Sequence, residues 1–266
     1  MKIATYNINS VRARATNLYE WLKRYNPDIV FLQEIKCETE NFIYFECESL
    51  GYKVAVLGQK SYNGVAILSK YNFTVTAQNI PHFADDAMRY IEILVTQEHQ
   101  KFYAASVYVP NGCSPDAITQ QQKLQYKLNW LDGLYAHLKD LHSTNLPIVL
   151  GGDFNVMMTE LDVYDSARFK NTPLYTKDVQ DKIIAIQNLG LHDCFRTLHP
   201  SDEGYTFWDY TANSFVTNSG LRIDYIFVTA EFAERLISCQ PDKSPRVAEK
   251  PSDHTPLVAE FEGRNE

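Results

Sequence analysis

Short apolar runs separated by polar turns recur along the chain, and this pattern predicts an α/β protein rich in strands. Residues 2–8 predict a buried strand that ends in polar residues. The next apolar positions have helical spacing, with Asn9 or Ser10 as a possible cap; they are Val11, Ala15, Leu18, Trp21 and Leu22. Pro27 ends that helix, and residues 29–33 predict a second strand. Such a β–α–β opening delivers polar strand ends, where α/β proteins commonly bind ligands.

The middle of the chain contains further strand-like runs, at residues 52–57, 64–69, 73–77, 90–95 and 102–109. Asn63-Gly64 has the composition of a tight hairpin turn. Ser114 followed by Pro115 predicts the start of a helix. The apolar stripe of that helix is interpreted as core packing and consists of Leu124, Leu128, Leu131, Tyr135, Leu138 and Leu141.

The last third begins with a strand at residues 148–151 that leads into GGDFN at 151–155. An irregular excursion at 156–178, a short helix at 183–189 and strands at 205–208, 222–228 and 257–261 follow. Clusters of strands, each followed by a helix, predict two sheets packed face to face and flanked by helices. A single domain over residues 1–266 is the simplest interpretation.

Composition agrees with a large folded core, because 45% of the 266 residues are apolar and 13% are aromatic. No apolar run approaches the roughly 20 residues that span a bilayer, so no membrane contact is expected. The start of the chain does not have the pattern of a secretory signal. Five cysteines with no CxxC pair predict reduced thiols, and therefore a cytoplasmic protein.

The net charge of −8 argues against a nucleic-acid partner, because such proteins usually carry a basic surface. A bound metal ion would neutralise part of an acidic site. Phosphate binding also depends on the local potential rather than on the sum over the whole chain. Charge alone would nevertheless never suggest DNA.

Polar residues recur where apolar strands end. One such aspartate is usually a turn or a helix cap, but six placements predict that the strand ends converge on an acidic pocket. The residues are Asn7, Glu34, Tyr108 with Asn111, Asp153 with Asn155, Asp224, and Asp253 with His254. Oxygen ligands of this kind suit Mg²⁺ or Mn²⁺, and the lack of a Cys/His cluster argues against zinc.

Seven motifs stand in a fixed order along nearly the whole chain: NIN at 7–9, LQEIK at 32–36, NGVAILS at 63–69, YVPNG at 108–112, GGDFN at 151–155, LRIDYIF at 221–227 and SDHTPL at 252–257. On these motifs the chain resembles the exonuclease III branch of the superfamily that also contains DNase I and the inositol-phosphate 5-phosphatases. The resemblance implies a DNase I-like fold, a four-layer α/β sandwich with two packed mixed sheets. It also implies a Mg²⁺-dependent DNA-repair enzyme that cuts duplex DNA 5′ to abasic sites and trims 3′ ends.

Hydrolysis of a phosphodiester needs an attacking hydroxide, relief of phosphoryl charge and help for the departing 3′ oxygen. The resemblance makes Glu34 a metal ligand with Asn7 and Asp253 nearby, and it adds Asp153, Asn155 and His254 as further candidates. His254 paired with Asp224 has the form of an oriented imidazole that stabilises charge or takes a proton.

Asp153 is the other candidate acid or base, and the sequence leaves the choice between it and His254 open. Tyr108 can donate a hydrogen bond or a proton as charge develops. Asn155 can donate amide hydrogens to a phosphate oxygen or help to place a metal.

Substrate contacts are predicted from the same resemblance. It implies that Asn111 contacts phosphate and that Lys36 binds the substrate, with a solvated surface lysine as the alternative for Lys36. Arg168 and Lys170 in the excursion are further candidates for phosphate contacts. It also places Phe207, Trp208 and Leu221 in an apolar pocket that would receive a sugar lacking its base. After YVPNG the chain reads CSPD, without the small or basic continuation of some relatives, which weakens the expectation of a DNA-penetrating loop there.

Two alternatives remain. The first is a superfamily phosphatase or lipid phosphodiesterase with the same metal core, against which LQEIK and Leu221 count. The second is an inactive DNA-binding relative, against which the filled catalytic positions count. The balance of endonuclease, exonuclease and 3′-phosphatase activity, the number of metals and the choice of Mg²⁺ or Mn²⁺ stay open, and a monomer is the default expectation.

Overall fold

A computed structural model describes residues 1–97, 100–211 and 213–263. The strands are β1 (Lys2–Asn7), β2 (Ile29–Gln33), β3 (Lys53–Leu57), β4 (Val65–Ser69), β5 (Asn72–Gln78), β6 (Tyr90–Thr96), β7 (Lys101–Tyr108), β8 (Ile148–Asp153), β9 (Leu191–Asp193), β10 (Asp224–Thr229), β11 (Leu236–Pro241) and β12 (Leu257–Phe261). The α-helices are α1 (Ala15–Tyr25), α2 (Tyr44–Glu48), α3 (Ala117–His142), α4 (Ser166–Phe169), α5 (Lys177–Gln187), α6 (Cys194–Leu198) and α7 (Ala230–Ala233). Short 3₁₀ turns lie at Thr39–Asn41, Glu160–Asp162 and Ser244–Val247.

The strands form two six-stranded mixed sheets that pack face to face. The first has the order β11-β12-β1-β2-β4-β3, and the second has the order β5-β6-β7-β8-β10-β9. Each contains a parallel pair at its centre, β1 with β2 and β7 with β8, while the other neighbours are antiparallel. This confirms the predicted two-sheet sandwich.

Three apolar clusters explain the layers. Phe31 and Val149 belong to the cluster between the two sheets. Leu131 and Leu134 of α3 cover the outer face of the second sheet, and Leu18 of α1 covers that of the first. Strands such as β2 are buried at every position because both of their faces are covered, which is why they appear as continuous apolar runs. Within the described residues, no helix has the length and apolar character needed to cross a bilayer.

Helix starts were predicted less well than strands. Arg14 precedes α1 without a side-chain cap, so the expected cap at Asn9 or Ser10 is wrong. Asp116 caps α3 by accepting from the backbone N–H of Thr119, two residues after the expected Ser114. Helix α5 begins at Lys177, because the side chain of Thr176 caps it, and not at residue 183.

Three strand assignments also change. Residues 205–208 form no strand; Phe207 makes only isolated bridges, to Leu221 and His254. Asn63 and Gly64 both have positive φ but lie at the end of a longer loop that joins β3 to β4. Strands β9 and β11, which were not predicted, each form one edge of a sheet. The 156–178 excursion contains a 3₁₀ turn, α4 and the first two residues of α5 and otherwise lacks regular structure.

The two glycines that open GGDFN allow β8 to pack closely on both sides. A Cβ atom on Gly151 would overlap the ring of Phe31 in the opposite sheet, and one on Gly152 would overlap the backbone carbonyl of Val107 in the adjacent β7. Glycine at these positions therefore lets β8 pack closely against β7 and the opposite sheet just before Asp153.

We expect Gly152→Ala to destabilise the protein by on the order of 3 kcal/mol, because the new methyl group meets backbone that cannot rotate away. Urea unfolding followed by circular dichroism measures this loss. Gly263→Ala is the matched control, because no atom lies within 4 Å of its Cβ position. Equal unfolding midpoints for Gly152→Ala and the wild type would contradict the prediction.

Candidate active site

Glu34 follows β2 at a sharp turn of the chain. Its φ is 50° and that of Lys36 is 52°, values that cost residues with a side chain roughly 1–2 kcal/mol each. Backbone hydrogen bonds hold this turn: the N–H of Ser10 donates to Glu34 at 2.7 Å, and the N–H of Lys36 donates to Asn63 at 3.0 Å. The turn aims the Glu34 carboxylate at the end of β1 and the second sheet.

Asn7, the last residue of β1, joins the two sheets at this edge. Its Nδ2 donates to Glu34 Oε1 and to Asp153 Oδ2, both at 2.9 Å. Within the described residues one group of metal-type side chains converges, Glu34, Asp153 and His254, with ligand atoms within 4.8 Å of one another. Two carboxylates this close repel one another, so the donor set fits a hard divalent cation.

His254 lies beside this pair of carboxylates and is held by a third. Its Nδ1 is 2.8 Å from Asp224 Oδ2, which also accepts a hydrogen bond from Thr206 Oγ1 at 2.6 Å. Its Nε2 is 3.7 Å from Asp153 Oδ2. Burial alone disfavours the charged imidazole, but the carboxylates of Asp224 and Asp153 outweigh it and raise the pKa of His254 to about 10. The ring is therefore protonated at neutral pH.

Asp153 ends β8 opposite Asp224 in the antiparallel pairing of β8 with β10. Burial raises the pKa of Asp153 to about 7; the charge of His254 opposes this shift, and the charge of Asp224 adds to it. Two carboxylates and one imidazole thus share protons at a buried point, the arrangement expected of groups that exchange them.

Tyr108 ends β7 next to Asp153, its partner in the parallel pairing with β8. Burial raises the pKa of its phenol well above the usual range, and the nearby charges of Glu34 and Asp153 raise it further. The guanidinium of Arg89 lies 4.7 Å from the ring centroid. The phenol consequently remains protonated and can act as a donor.

Asp253 is linked to Glu34 through two intermediate side chains. Asn9 donates to Asp253 Oδ1 at 2.9 Å and accepts from Lys36 Nζ at 2.6 Å. Lys36 in turn lies 2.7 Å from Glu34 Oε2. Lys36 is thus a partner of the acidic cluster rather than a solvated surface lysine.

Asn111 and Asn155 form an amide pair beside Asp153. Asn111 Nδ2 donates to Asn155 Oδ1 at 3.0 Å, and Asn155 Nδ2 donates to the carbonyl of Val109 at 2.9 Å. The backbone N–H of Asn155 donates to Asp153 Oδ1 at 2.9 Å. Because each amide nitrogen carries two hydrogens, both side chains keep one donor beyond these contacts.

A cavity of about 540 Å³ opens beside the acidic cluster. Its wall is mixed apolar and polar, and it is lined by Asn111, Cys113, Tyr164, Arg168, Phe169, Thr172, Leu174, Phe207, Asp209, Thr211, Ser214, Ser219 and Leu221. Phe207 joins the cavity to the cluster, because its ring packs edge-on against His254 with 4.9 Å between centroids.

Two of the predicted substrate residues lie elsewhere. Trp208 is fully buried and packs against Phe215 at 5.1 Å, so it does not line the cavity. Lys170 lines a separate groove with Met158 and Tyr175. Arg168, by contrast, reaches the cavity wall and hydrogen-bonds the hydroxyl of Tyr164 at 2.5 Å.

Sequence reasoning missed three residues that support the site. Asn9 was recognised only as part of a motif and a possible cap, and Thr206 lies just before Phe207 with no pattern to mark it. Lys127 is fully buried beneath the amide pair. Its position at the start of the buried stripe of α3, four residues before Leu131, was a usable signal.

The Endonuclease/Exonuclease/phosphatase family model matches residues 4–254. The chain therefore belongs to this family. It is 33% identical over 271 residues to exodeoxyribonuclease III of Haemophilus influenzae, with 98% of this chain and 100% of that protein covered.

Solved structures place the similarity in the same branch. An AP endonuclease from Archaeoglobus fulgidus is 36% identical with a TM-score of 0.91, covering 99% of this chain and 100% of its own. A 3′ phosphatase from Neisseria, in a structure bound to a product DNA hairpin, is 32% identical with a TM-score of 0.90 and the same coverage. Within the family, the chain is thus similar to exonuclease III and AP endonuclease proteins.

Proposed function

We propose that this protein is a Mg²⁺-dependent DNA-repair phosphodiesterase that nicks duplex DNA 5′ to abasic sites and removes nucleotides or blocking groups from 3′ ends. The observation that carries the proposal is the contact of Phe207 with His254, which joins the acidic cluster to a partly apolar cavity. The relatives support DNA as the substrate, because they include an exodeoxyribonuclease, an AP endonuclease and a 3′ phosphatase.

Glu34 would hold the metal ion, with Asn7, Asp153, Asn155 and Asp253 close by. Their oxygen atoms favour Mg²⁺, and Mn²⁺ would satisfy the same ligands. A bound ion supplies Lewis-acid stabilisation of phosphoryl charge. Because a protonated imidazole has no free lone pair, His254 acts as a cation beside the phosphate and not as a ligand.

The two candidate bases then take different roles. Asp153 has a pKa of about 7, so its carboxylate suits the removal of a proton from the attacking water. His254 carries its proton, donates to a phosphoryl oxygen and balances the charge that grows there. Tyr108 and the free amide hydrogens of Asn111 and Asn155 add neutral donors for the phosphate.

The cavity would accept the sugar of an abasic nucleotide turned out of the duplex. Phe207, Leu221 and Leu174 supply apolar contacts, and Arg168 lies where a flanking phosphate can pass. Turning out a nucleotide costs a few kcal/mol, and least where no base is stacked or paired. That difference favours abasic DNA before any contact with the protein is made.

The direct test uses a duplex oligonucleotide with one tetrahydrofuran abasic analogue, incubated with Mg²⁺ and with EDTA. We expect a single nick 5′ to the analogue that requires the metal. A matched duplex with a 3′ phosphate tests the end-trimming activity. Hydrolysis of an inositol polyphosphate without cleavage of either duplex would favour the phosphatase alternative and overturn the proposal.

Replacing Phe207 by alanine should lower the preference for abasic over intact DNA. The aromatic wall that fits a base-free sugar is lost, and a bulkier nucleotide then enters more readily. We expect the ratio of kcat/KM for the two duplexes to fall by on the order of tenfold, a loss of about 1.4 kcal/mol in discrimination. Val216→Ala, on the exposed loop outside the cavity, is the control. An unchanged ratio in Phe207→Ala would mean that this wall does not select the substrate.

We further propose a monomeric, single-domain protein over residues 1–266 in a reducing cytoplasmic compartment. All five cysteines are free, and four of them are buried, which supports the reducing compartment. Light scattering in solution tests the monomer.

A further inference from the structure

Lys127 is a buried cation that the reaction described above does not use. Its side chain has no exposed surface, and it lies on α3 where an apolar residue would be expected. Its Nζ donates to three backbone carbonyls: Asn155 at 2.6 Å, Pro173 at 2.9 Å and Asn111 at 3.2 Å. Three acceptors match the three N–H bonds of an ammonium group.

The energetics indicate a role other than overall stability. Burial lowers the pKa of Lys127 to about 7, because removing a charge from water is costly. A buried charge is weak evidence for stabilisation, since an apolar side chain of similar size often does as well. What an apolar side chain cannot do is bind three separate carbonyls at once.

The three carbonyls belong to three segments that lie far apart along the chain. Asn111 lies in the loop after β7, Asn155 follows β8, and Pro173 precedes Leu174 in the cavity wall. The segments pack closely here, because a Cβ on Gly112 would lie 2.8 Å from Pro173 Cβ and 3.3 Å from Lys127 Cδ. The Lys127 ammonium therefore bonds to the backbone of both members of the amide pair and to the cavity wall.

We propose that Lys127 is a positioning residue that holds the Asn111–Asn155 amide pair and the Pro173–Leu174 wall in register with the acidic cluster. The inference rests on the proposed function, in which that pair contacts the phosphate. Lys127 itself touches neither the substrate nor a metal ligand's side chain. It acts by fixing the backbone from which the two amides project.

Kinetics on the abasic duplex test the proposal with Lys127→Met and Lys127→Arg. We expect Lys127→Met to lower kcat by on the order of 10²-fold with a smaller change in KM, because a displacement of about 1 Å has this effect on aligned groups. Lys127→Arg keeps the donors and should recover most of kcat. Lys123→Met is the matched control, one turn earlier on α3, where the exposed Lys123 donates to Cys113 at 3.3 Å.

A double-mutant cycle separates positioning from loss of fold. If Lys127 acts through the amide pair, Lys127→Met should lower kcat/KM much less in an Asn111→Ala background than in the wild type. If Lys127 only supports the fold, Lys127→Met should lower kcat/KM by the same factor in both backgrounds. That result would overturn the proposal. If Lys127→Met does not fold, Lys127→Gln, which keeps two N–H donors but cannot serve all three carbonyls, enters the same cycle.

A measurement without DNA keeps this inference separate from the proposed function. The side-chain amide signals of Asn111 and Asn155 in ¹⁵N NMR spectra should shift in each folded Lys127 variant and stay in place in Lys123→Met. If the wild type leaves abasic DNA uncut, the proposed function fails, and the spectra still decide whether Lys127 positions the pair. If the wild type is active and the signals stay in place, the Lys127 proposal alone fails.

Discussion

Asp153→Asn should lower kcat for Mg²⁺-dependent cleavage of the abasic duplex by on the order of 10³–10⁴-fold. The substitution keeps the size of the side chain and removes its capacity to accept a proton. It also replaces one of the two acceptor oxygens with an NH₂ group. In the wild type, Oδ1 accepts a hydrogen bond from the backbone N–H of Asn155, and Oδ2 accepts one from the side-chain amide of Asn7. The variant should unfold at a urea concentration close to that of the wild type, because removing a buried charge offsets the loss of one hydrogen bond.

The pH dependence gives a second measure of the same residue. A base must be deprotonated, so the rate of the wild type should fall as the pH drops below the pKa of Asp153, about 7. A bound cation favours the carboxylate and moves this fall in rate, the acid limb of the pH–rate profile, to lower pH. Asp181→Asn, a substitution at an exposed position of α5, should leave both the rate and the acid limb of the pH–rate profile unaltered. Turnover of Asp153→Asn within tenfold of the wild type would place the base elsewhere.

The strands that carry the site were predictable because they are buried on both faces. Continuous apolar runs mark β1, β2, β7 and β8, and the polar residue after each run marks where it ends. The two edge strands that were not predicted lack this signal. Strand β9 has three residues, and β11 is only partly buried and ends at Pro241, so neither differs in pattern from a loop.

Within the site, the predicted acidic residues lie together, whereas the predicted substrate residues line the cavity only in part. Glu34, Asp153 and His254 lie close together, as expected if the ends of their strands converge. Whether a side chain faces the cavity depends on the path of irregular segments, which local pattern does not encode. Phe207 and Trp208 are adjacent, yet one lines the cavity and the other is buried away from it.

Contacts between distant segments were the hardest to predict. Asn9 contacts Asp253 across 244 positions, and Lys127 joins carbonyls from three loops. No local pattern marks such partners, because each depends on how the two sheets close on one another. A lysine within an apolar helical stripe was the one clue available in advance.

His254→Ala should lower kcat by on the order of 10²–10³-fold, the usual loss when one donor to the developing charge is removed. The ring lies 3.7 Å from Asp153 Oδ2 and is protonated at neutral pH, so its removal deletes both a donor and a positive charge. His192→Ala, at an exposed position of β9, should keep the wild-type rate. A rate for His254→Ala within tenfold of the wild type would contradict the proposed role of the imidazolium.

Asp224→Asn tests whether the protonated form is the active one. The Asp224 carboxylate helps to raise the pKa of His254 to about 10, so the wild type should lose activity only as the pH rises through that value. Without the carboxylate the pKa of His254 falls, because burial and the loss of a 2.8 Å partner both favour the neutral ring. The alkaline limb of the kcat/KM profile should therefore move to lower pH while the acid limb, set by Asp153, moves less. If the imidazole acted instead as the base, lowering its pKa would extend activity to more acidic pH, so the direction of the shift decides between the two roles.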